Sequence, residues 1–177
     1  TLTFRNTTTN IANATATAGD KVVINNLNGG TLNFAGDVDN DVLLTASAAT
    51  NTVNYTASTG DVETAVANTY YNLIISGTAN RTSISSYSVT GTLTISSGAT
   101  LTQGNNNTLA VQGAYVLNGT HTGGNTNSDI TIAGAAISGG SSGTHGVYSG
   151  SGDFFVTSNC AIAAGSYIDH SASGASD

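Results

Sequence analysis

Residues 91–113 read GTLTISSGATLTQGNNNTLAVQG. Two apolar pairs, Leu93/Ile95 and Leu109/Val111, stand among Thr, Ser, Gly and Asn. An apolar residue at every second position lines one face of an extended strand. The Gly- and Asn-rich spacers read as turns. Helical spacing is absent from this stretch. Its nearest approach elsewhere is residues 61–71, DVETAVANTYY, with only Val62, Val66 and Thr69 in phase.

The same pair recurs along the chain. It stands at Leu2/Phe4, Val22/Ile24 and Val42/Leu44, evenly spaced. It returns at Leu32/Phe34, Val53/Tyr55, Leu73/Ile75 and Leu93/Ile95, at intervals of 21, 20 and 20. Leu109/Val111, Ile130/Ile132 and Phe154/Val156 then follow at intervals of 16, 21 and 24. Recurrence of a whole unit, here at about 20 residues, is the signature of a solenoid. The short step from Leu93 to Leu109 predicts a bulge or a change of coil shape between them.

A glycine rides on this pattern. The string apolar-x-apolar-x-Gly occurs at Leu32–Gly36, Leu73–Gly77, Tyr87–Gly91, Leu109–Gly113 and Ile130–Gly134. Glycine inside a strand pattern marks a bend or the close approach of another backbone. Repeated in phase, it predicts a corner at which each coil turns.

Composition agrees with a thin-cored β protein. Thr, Ser, Gly and Asn make up just over half of the 177 residues, and Leu, Ile, Val and Phe about one fifth. Charged residues are only 7%, so this is not the charge-rich composition of a disordered chain. Pro is absent, which suits unbroken ladders. Three basic residues (Arg5, Lys21, Arg81) against ten acidic ones exclude a phosphate-neutralising surface, and with it nucleic acid as a partner. No apolar run approaches the length needed for membrane insertion.

The chain is expected to form one all-β domain over residues 1–177, a parallel β-solenoid with coils of about 20 residues. Eight or nine coils at strand spacing would stack to roughly 40 Å. An antiparallel β-sandwich of the jelly-roll, pilin-like kind is the alternative, since strand signals at short, regular spacing also suit a sandwich. The solenoid is preferred because whole units repeat and tight hairpin signals are missing. A stack of coils ends in two exposed sheet edges, each a template for another chain. The expected partner is therefore the protein itself, as a segment or subunit of a longer assembly. Leu2 and Phe4 in TLTFRN form a ready strand for such assembly.

Residues 91–113, followed by AYVLNGTHTGGNTNSDITIAG (114–134), resemble the repeats of large secreted bacterial β-solenoid proteins. These are of the surface adhesin and autotransporter-passenger type. The likeness covers about residues 70–135. It implies cell-surface display, adhesion or fibre formation and supplies no catalytic residues.

Several positions carry candidate chemistry. Asp37, Asp39 and Asp41 in DVDND suit a hard cation such as Ca²⁺ on a loop, or a solvated acidic turn. An EF-hand would need Gly and Glu where Val42 and Ala48 stand. GTHGVYSGS (143–151) resembles the histidine motif of β-helical polygalacturonases, but the adjacent Asp-Asp and the Arg-x-Lys element of that family are missing. A polysaccharide hydrolase needs its paired carboxylates. GGSSG (139–143) meets G-x-S-x-G inside a Gly/Ser tract without a strand-to-helix elbow. His121, His145 and His170 read as solvated loop residues, Tyr70/Tyr71 as packing residues, and Cys160 as a small buried hydrophobe. The six N-x-[ST] sequons match the number chance supplies in so Asn- and Thr-rich a chain.

The sequence thus predicts a secreted or cell-surface, non-enzymatic structural module of an adhesin or self-assembling fibre. Ca²⁺ at the acidic cluster is the one cofactor entertained, and surface glycans are the second class of partner. The alternative is a carbohydrate-binding or polysaccharide-degrading β-helix.

Overall fold

A computed structural model of the chain describes residues 2–5, 8–14, 21–38, 41–58, 61–63, 67, 69–138, 146–162 and 164–170, with the backbone alone at 61–63, 136–138, 169 and 170. The strands in its first half are β1 (Leu2–Arg5), β2 (Thr8–Ile11), β3 (Val22–Leu27), β4 (Thr31–Phe34), β5 (Val42–Thr45), β6 (Thr52–Tyr55), β7 (Asp61–Glu63), β8 (Thr69–Tyr70), β9 (Asn72–Ile75), β10 (Asn80–Ser83) and β11 (Tyr87–Val89). The second half adds β12 (Leu93–Ile95), β13 (Thr100–Gln103), β14 (Leu109–Val111), β15 (Tyr115–Leu117), β16 (Thr120–Thr122), β17 (Ile130–Ile132), β18 (Ala136–Ser138), β19 (Val147–Gly150), β20 (Phe154–Val156), β21 (Cys160–Ile162) and β22 (Tyr167–His170).

These strands stack into three walls. The first wall has eight strands in the order β2-β4-β6-β9-β12-β15-β18-β21. The second runs β7-β10-β13-β16-β19-β22. The third runs β8-β11-β14-β17-β20, and a β1-β3-β5 sheet prolongs it through the parallel bridge Ala46–Tyr70. Every strand pairing is parallel. The fold is a parallel β-solenoid of about seven turns with coils of about 21 residues and no helix among the described residues. Eight strands in the longest wall give slightly fewer turns than the sequence suggested. The antiparallel sandwich is excluded.

All ten apolar pairs fall on strands, and their residues form continuous columns inside the coil. Leu32, Val53, Leu73, Leu93 and Tyr115 occupy successive rungs of one column. Phe34, Tyr55, Ile75, Ile95 and Leu117 occupy the next. Each of these ten residues is buried. Full burial of one such side chain contributes about 1.5–3 kcal/mol. The Phe34 and Tyr55 rings stack at 5.2 Å between centroids.

The short step from Leu93 to Leu109 has a different cause from the one the sequence suggested. Leu93 belongs to the first wall, where Tyr115 follows it in register. Leu109 belongs to the third wall, paired with Tyr87 below and Ile130 above. The apparent series changes wall at that point, and no bulge is needed. Residues 104–108 (GNNNT) form the turn that joins β13 to β14 within one coil.

The recurrent glycines are corners. Gly91, Gly113 and Gly134 stand directly over one another where the third wall turns into the first. A Cβ on Gly113 would overlap the Gly91 carbonyl oxygen, and a Cβ on Gly134 that of Gly113. At an earlier corner Asn51 supplies what the backbone lacks. Its Oδ1 accepts from Gly29 N (2.7 Å) and Gly30 N (3.1 Å), and its Nδ2 donates to the Asn26 carbonyl. Asn26 Nδ2 in turn donates to Gly30 O at 2.9 Å.

Two substitutions test this construction by urea denaturation. Gly113→Ala forces a Cβ against backbone and is expected to lower stability by about 1–3 kcal/mol. An unchanged midpoint would mean that the corner is not a close stack. Asn51→Ala strips partners from three backbone groups and is expected to cost about 2–4 kcal/mol, because each buried orphan costs roughly 1–3 kcal/mol.

Candidate functional site

The second wall carries the unusual chemistry. Its inward positions hold Arg81 and Ser83 on β10, Leu101 and Gln103 on β13, His121 on β16 and Tyr148 on β19, all buried. Register places Arg81, Leu101, His121 and Tyr148 in one column. Sequence reasoning missed this wall because polar residues occupy core positions. The signal was nevertheless present, since His121 stands one repeat length after the inward Leu101.

Arg81 lies with its guanidinium carbon 4.6 Å from the centre of the Tyr55 ring. Its Nη2 donates to Gly36 O at 3.4 Å. A desolvated cation over an aromatic face gains about 2 kcal/mol. Burial pulls the Arg81 pKa down to about 10, against the support of Tyr55, Asp37 and Tyr70. The Tyr55 and Tyr70 hydroxyls meet at 3.3 Å, and burial drives the Tyr70 hydroxyl well above its usual value.

His121 sits in a second aromatic cluster two coils further on. Its Nδ1 shares a 2.8 Å hydrogen bond with the Tyr115 hydroxyl. The Tyr148 ring meets it edge-on at 5.5 Å, and Phe154 packs 4.6 Å from Tyr148. Neither His121 Nε2 nor the Tyr148 hydroxyl has a hydrogen-bond partner among the described residues. Burial pulls the His121 pKa from 6.5 to about 3, so the ring is neutral at ordinary pH. Burial, reinforced by Asp129, pushes Tyr148 up to about 12. His121 is therefore a core residue and not the solvated loop histidine expected from its polar neighbours.

The other candidates lie apart from these clusters. Asp37 is exposed and Asp41 half-buried, on either side of the buried Val38, while Asp39 lies outside the described residues. Backbone groups of this segment bind the coil below: Ala14 N donates to Asp37 O at 2.9 Å, and Val22 N to Asp41 O at 3.2 Å. No group of three or more His, Cys, Asp or Glu side chains is gathered among the described residues. His145 and the GGSSG run lie outside the described residues, and His170 is described by backbone alone. Tyr70 packs inward, as expected. A groove where β5 gives way to β8, lined by Leu44, Thr45, Ser47 and Thr69, has no titratable lining side chain.

Unsatisfied surface is found at the ends of the stack. Leu2 (53% exposed) and the half-buried Phe4 continue inward columns of the third wall, through Ile24 and Asn26. At the other end Ile162 (49% exposed) and Cys160 hold the inward phase of the first wall. Cys160 is thus exposed, contrary to expectation, because no described rung lies beyond β21. Both ends expose unpaired strand edges among the described residues.

Comparison with protein-family models, curated proteins and solved structures yields no match.

The His121 environment predicts a pH dependence. Its folded-state pKa lies below its unfolded value, so the stability tied to the neutral ring is complete above about pH 6.5 and is lost as the pH falls toward 3. Between pH 6.5 and 4.5 the wild type should lose up to about 1.4 kcal/mol per pH unit more than His121→Gln. Urea midpoints at several pH values check this, and parallel curves for the two proteins would refute a buried neutral ring.

Proposed function

We propose that the chain is a non-enzymatic structural module, a rigid β-solenoid rod of a secreted or cell-surface adhesin or self-assembling fibre. One observation carries this reading. The chemistry-bearing side chains enclosed in the coil are engaged within it, Arg81 over the Tyr55 ring and His121 with Tyr115 and Tyr148, while the outermost described strands keep open edges. A buried neutral histidine without access to solvent has no substrate to act on. Open parallel edges, by contrast, are templates for further rungs. The low charge and the Thr/Ser/Asn-rich surface fit display outside the cell, as does the resemblance of residues 70–135 to surface β-solenoid repeats.

Electron microscopy of the purified protein, paired with a polysaccharide-turnover panel, tests the proposal. Particles should lengthen with concentration at constant width, with no turnover. Cleavage of a polysaccharide that Asp37→Asn or Asp41→Asn abolishes would replace the structural reading with an enzymatic one.

A further inference from the structure

We infer that Asn28–Gly29 is a site of spontaneous deamidation, which Asn51 from the next coil holds closed while the corner is intact. The chemistry needs only the chain and water. The Gly29 nitrogen attacks Asn28 Cγ, and the new N–C bond closes a cyclic imide. The Cγ–Nδ2 bond breaks, and the side-chain nitrogen leaves as ammonia with the Gly29 proton. Water then opens the ring at either carbonyl and leaves aspartate or isoaspartate.

The sequence sets an Asn before a Gly twice, at Asn28–Gly29 and Asn118–Gly119. Glycine carries no Cβ to obstruct its own nitrogen, so these are the asparagines whose side chains are easiest to attack. Both stand at corners. Asn28 turns β3 into β4 with φ 59°, and Gly29 follows at φ 78°. Asn28 is exposed, so water reaches it. The attacking nitrogen is restrained by a side chain: Gly29 N donates to Asn51 Oδ1 at 2.7 Å, and Gly30 N to the same oxygen at 3.1 Å. Asn51 is itself fixed. It is buried, its Nδ2 donates to the Asn26 carbonyl, and Thr52 N beside it donates to Gly30 O at 3.0 Å.

The second pair is closed by other means. Gly119 N donates to Ile95 O at 3.0 Å, a main-chain bond that no side-chain change removes. A Cβ on Gly119 would overlap the Ser96 and Ala99 carbonyl oxygens, so this turn is packed against the coil below. Asn118 is half-buried. A nitrogen whose N–H is engaged cannot swing onto a side-chain carbon until that bond opens, so the reaction follows the open fraction. At Asn118 opening means parting two coils. At Asn28 it means losing one side-chain oxygen. Asn28 is therefore the weaker point, and Asn51 sets its rate.

Peptide mass mapping during incubation at mildly alkaline pH reads both sites in one protein, each as the mass gain of an amide turned to an acid. Asn28 and Asn118 should both react slowly in the folded wild type and fast in urea. Asn51→Ala should speed Asn28 about tenfold, the factor that one such hydrogen bond supplies, and leave Asn118 as it was. Asn51→Asp keeps an oxygen for both N–H groups, and there Asn28 should stay slow. Wild-type Asn28 reacting at its urea rate would show that nothing shields it. An unchanged rate in Asn51→Ala would show that Asn51 is not the shield. Should Asn51→Ala unfold, Asn118 speeds up together with Asn28, and Asn51→Asp decides. In that variant Asn28 as slow as Asn118 upholds the inference, and a fast Asn28 beside a slow Asn118 overturns it. Should both variants unfold, amide hydrogen exchange of the wild type decides. Gly29 and Gly30 protected together uphold the shield, and Gly29 exchanging as in a free peptide overturns it.

Discussion

Each interior strand of the walls is held by main-chain hydrogen bonds to the coil above and the coil below, in parallel and in register. That ladder constrains everything else in the molecule. A residue's inward neighbour is the residue about 21 positions away, so each column must fill with side chains compatible at strand spacing. Leu73 over Val53 and Leu93 over Leu73 meet this with aliphatics. Phe34 under Tyr55 meets it with stacked rings. Parallel strands cannot be joined by hairpins, so three corners per coil must turn the chain without disturbing the rungs.

The corners absorb the variation in coil length. In the first wall the register step from Leu73 to Leu93 is among the shortest, and that from Ala136 to Cys160 is the longest. At the described corners between β13 and β14 and between β16 and β17, side chains imitate backbone. Gln103 Nε2 donates to the Asn107 and Asp129 carbonyls, tying a corner to the coil above. Asn106 N donates to Asn125 Oδ1 at 3.0 Å, and Asn125 and Asn127 both donate to Asn106 Oδ1. Asn106 adopts φ 60°, a left-handed conformation that Asn tolerates better than most residues. The abundance of Asn, Ser and Thr thus has a mechanical source: at several described corners a short polar side chain replaces a missing ladder bond.

How much of this was legible depended on what each wall buries. The first and third walls bury Leu, Ile, Val and aromatic residues at alternate positions, and their strands stand out in the sequence. The second wall buries Arg81, Ser83, Gln103 and His121, so NRTS, TLTQ and THT read as polar connections. The short step between Leu93 and Leu109 misled for a related reason. One-dimensional periodicity does not say which wall a strand joins, and a jump between walls looks like a defect in one series. For the candidate site, exposure was the illegible quantity. His121 looked solvated and is enclosed, because its polar neighbours Thr120 and Thr122 point the other way along the strand. Cys160 looked buried and is exposed, because no described rung covers β21, and nothing local in NCAIAAG carries that information.

The polar residues of the second wall also solve a problem that the ladder creates. Coils of nearly equal length with aliphatic columns are almost interchangeable, so a slip by one coil would cost little in apolar contact. Unique partners remove that degeneracy. Arg81 needs the Tyr55 ring and the Gly36 carbonyl, which lie on different earlier coils. Asn26 needs Asn51, and His121 needs Tyr115 beside it and the edge-on Tyr148 above. A slip by one coil that set Arg81 opposite Ile75 in place of Tyr55 would leave the buried guanidinium without its aromatic face, at a cost of several kcal/mol. Apolar columns make the stack stable, and these few enclosed polar contacts fix the order in which its coils follow one another.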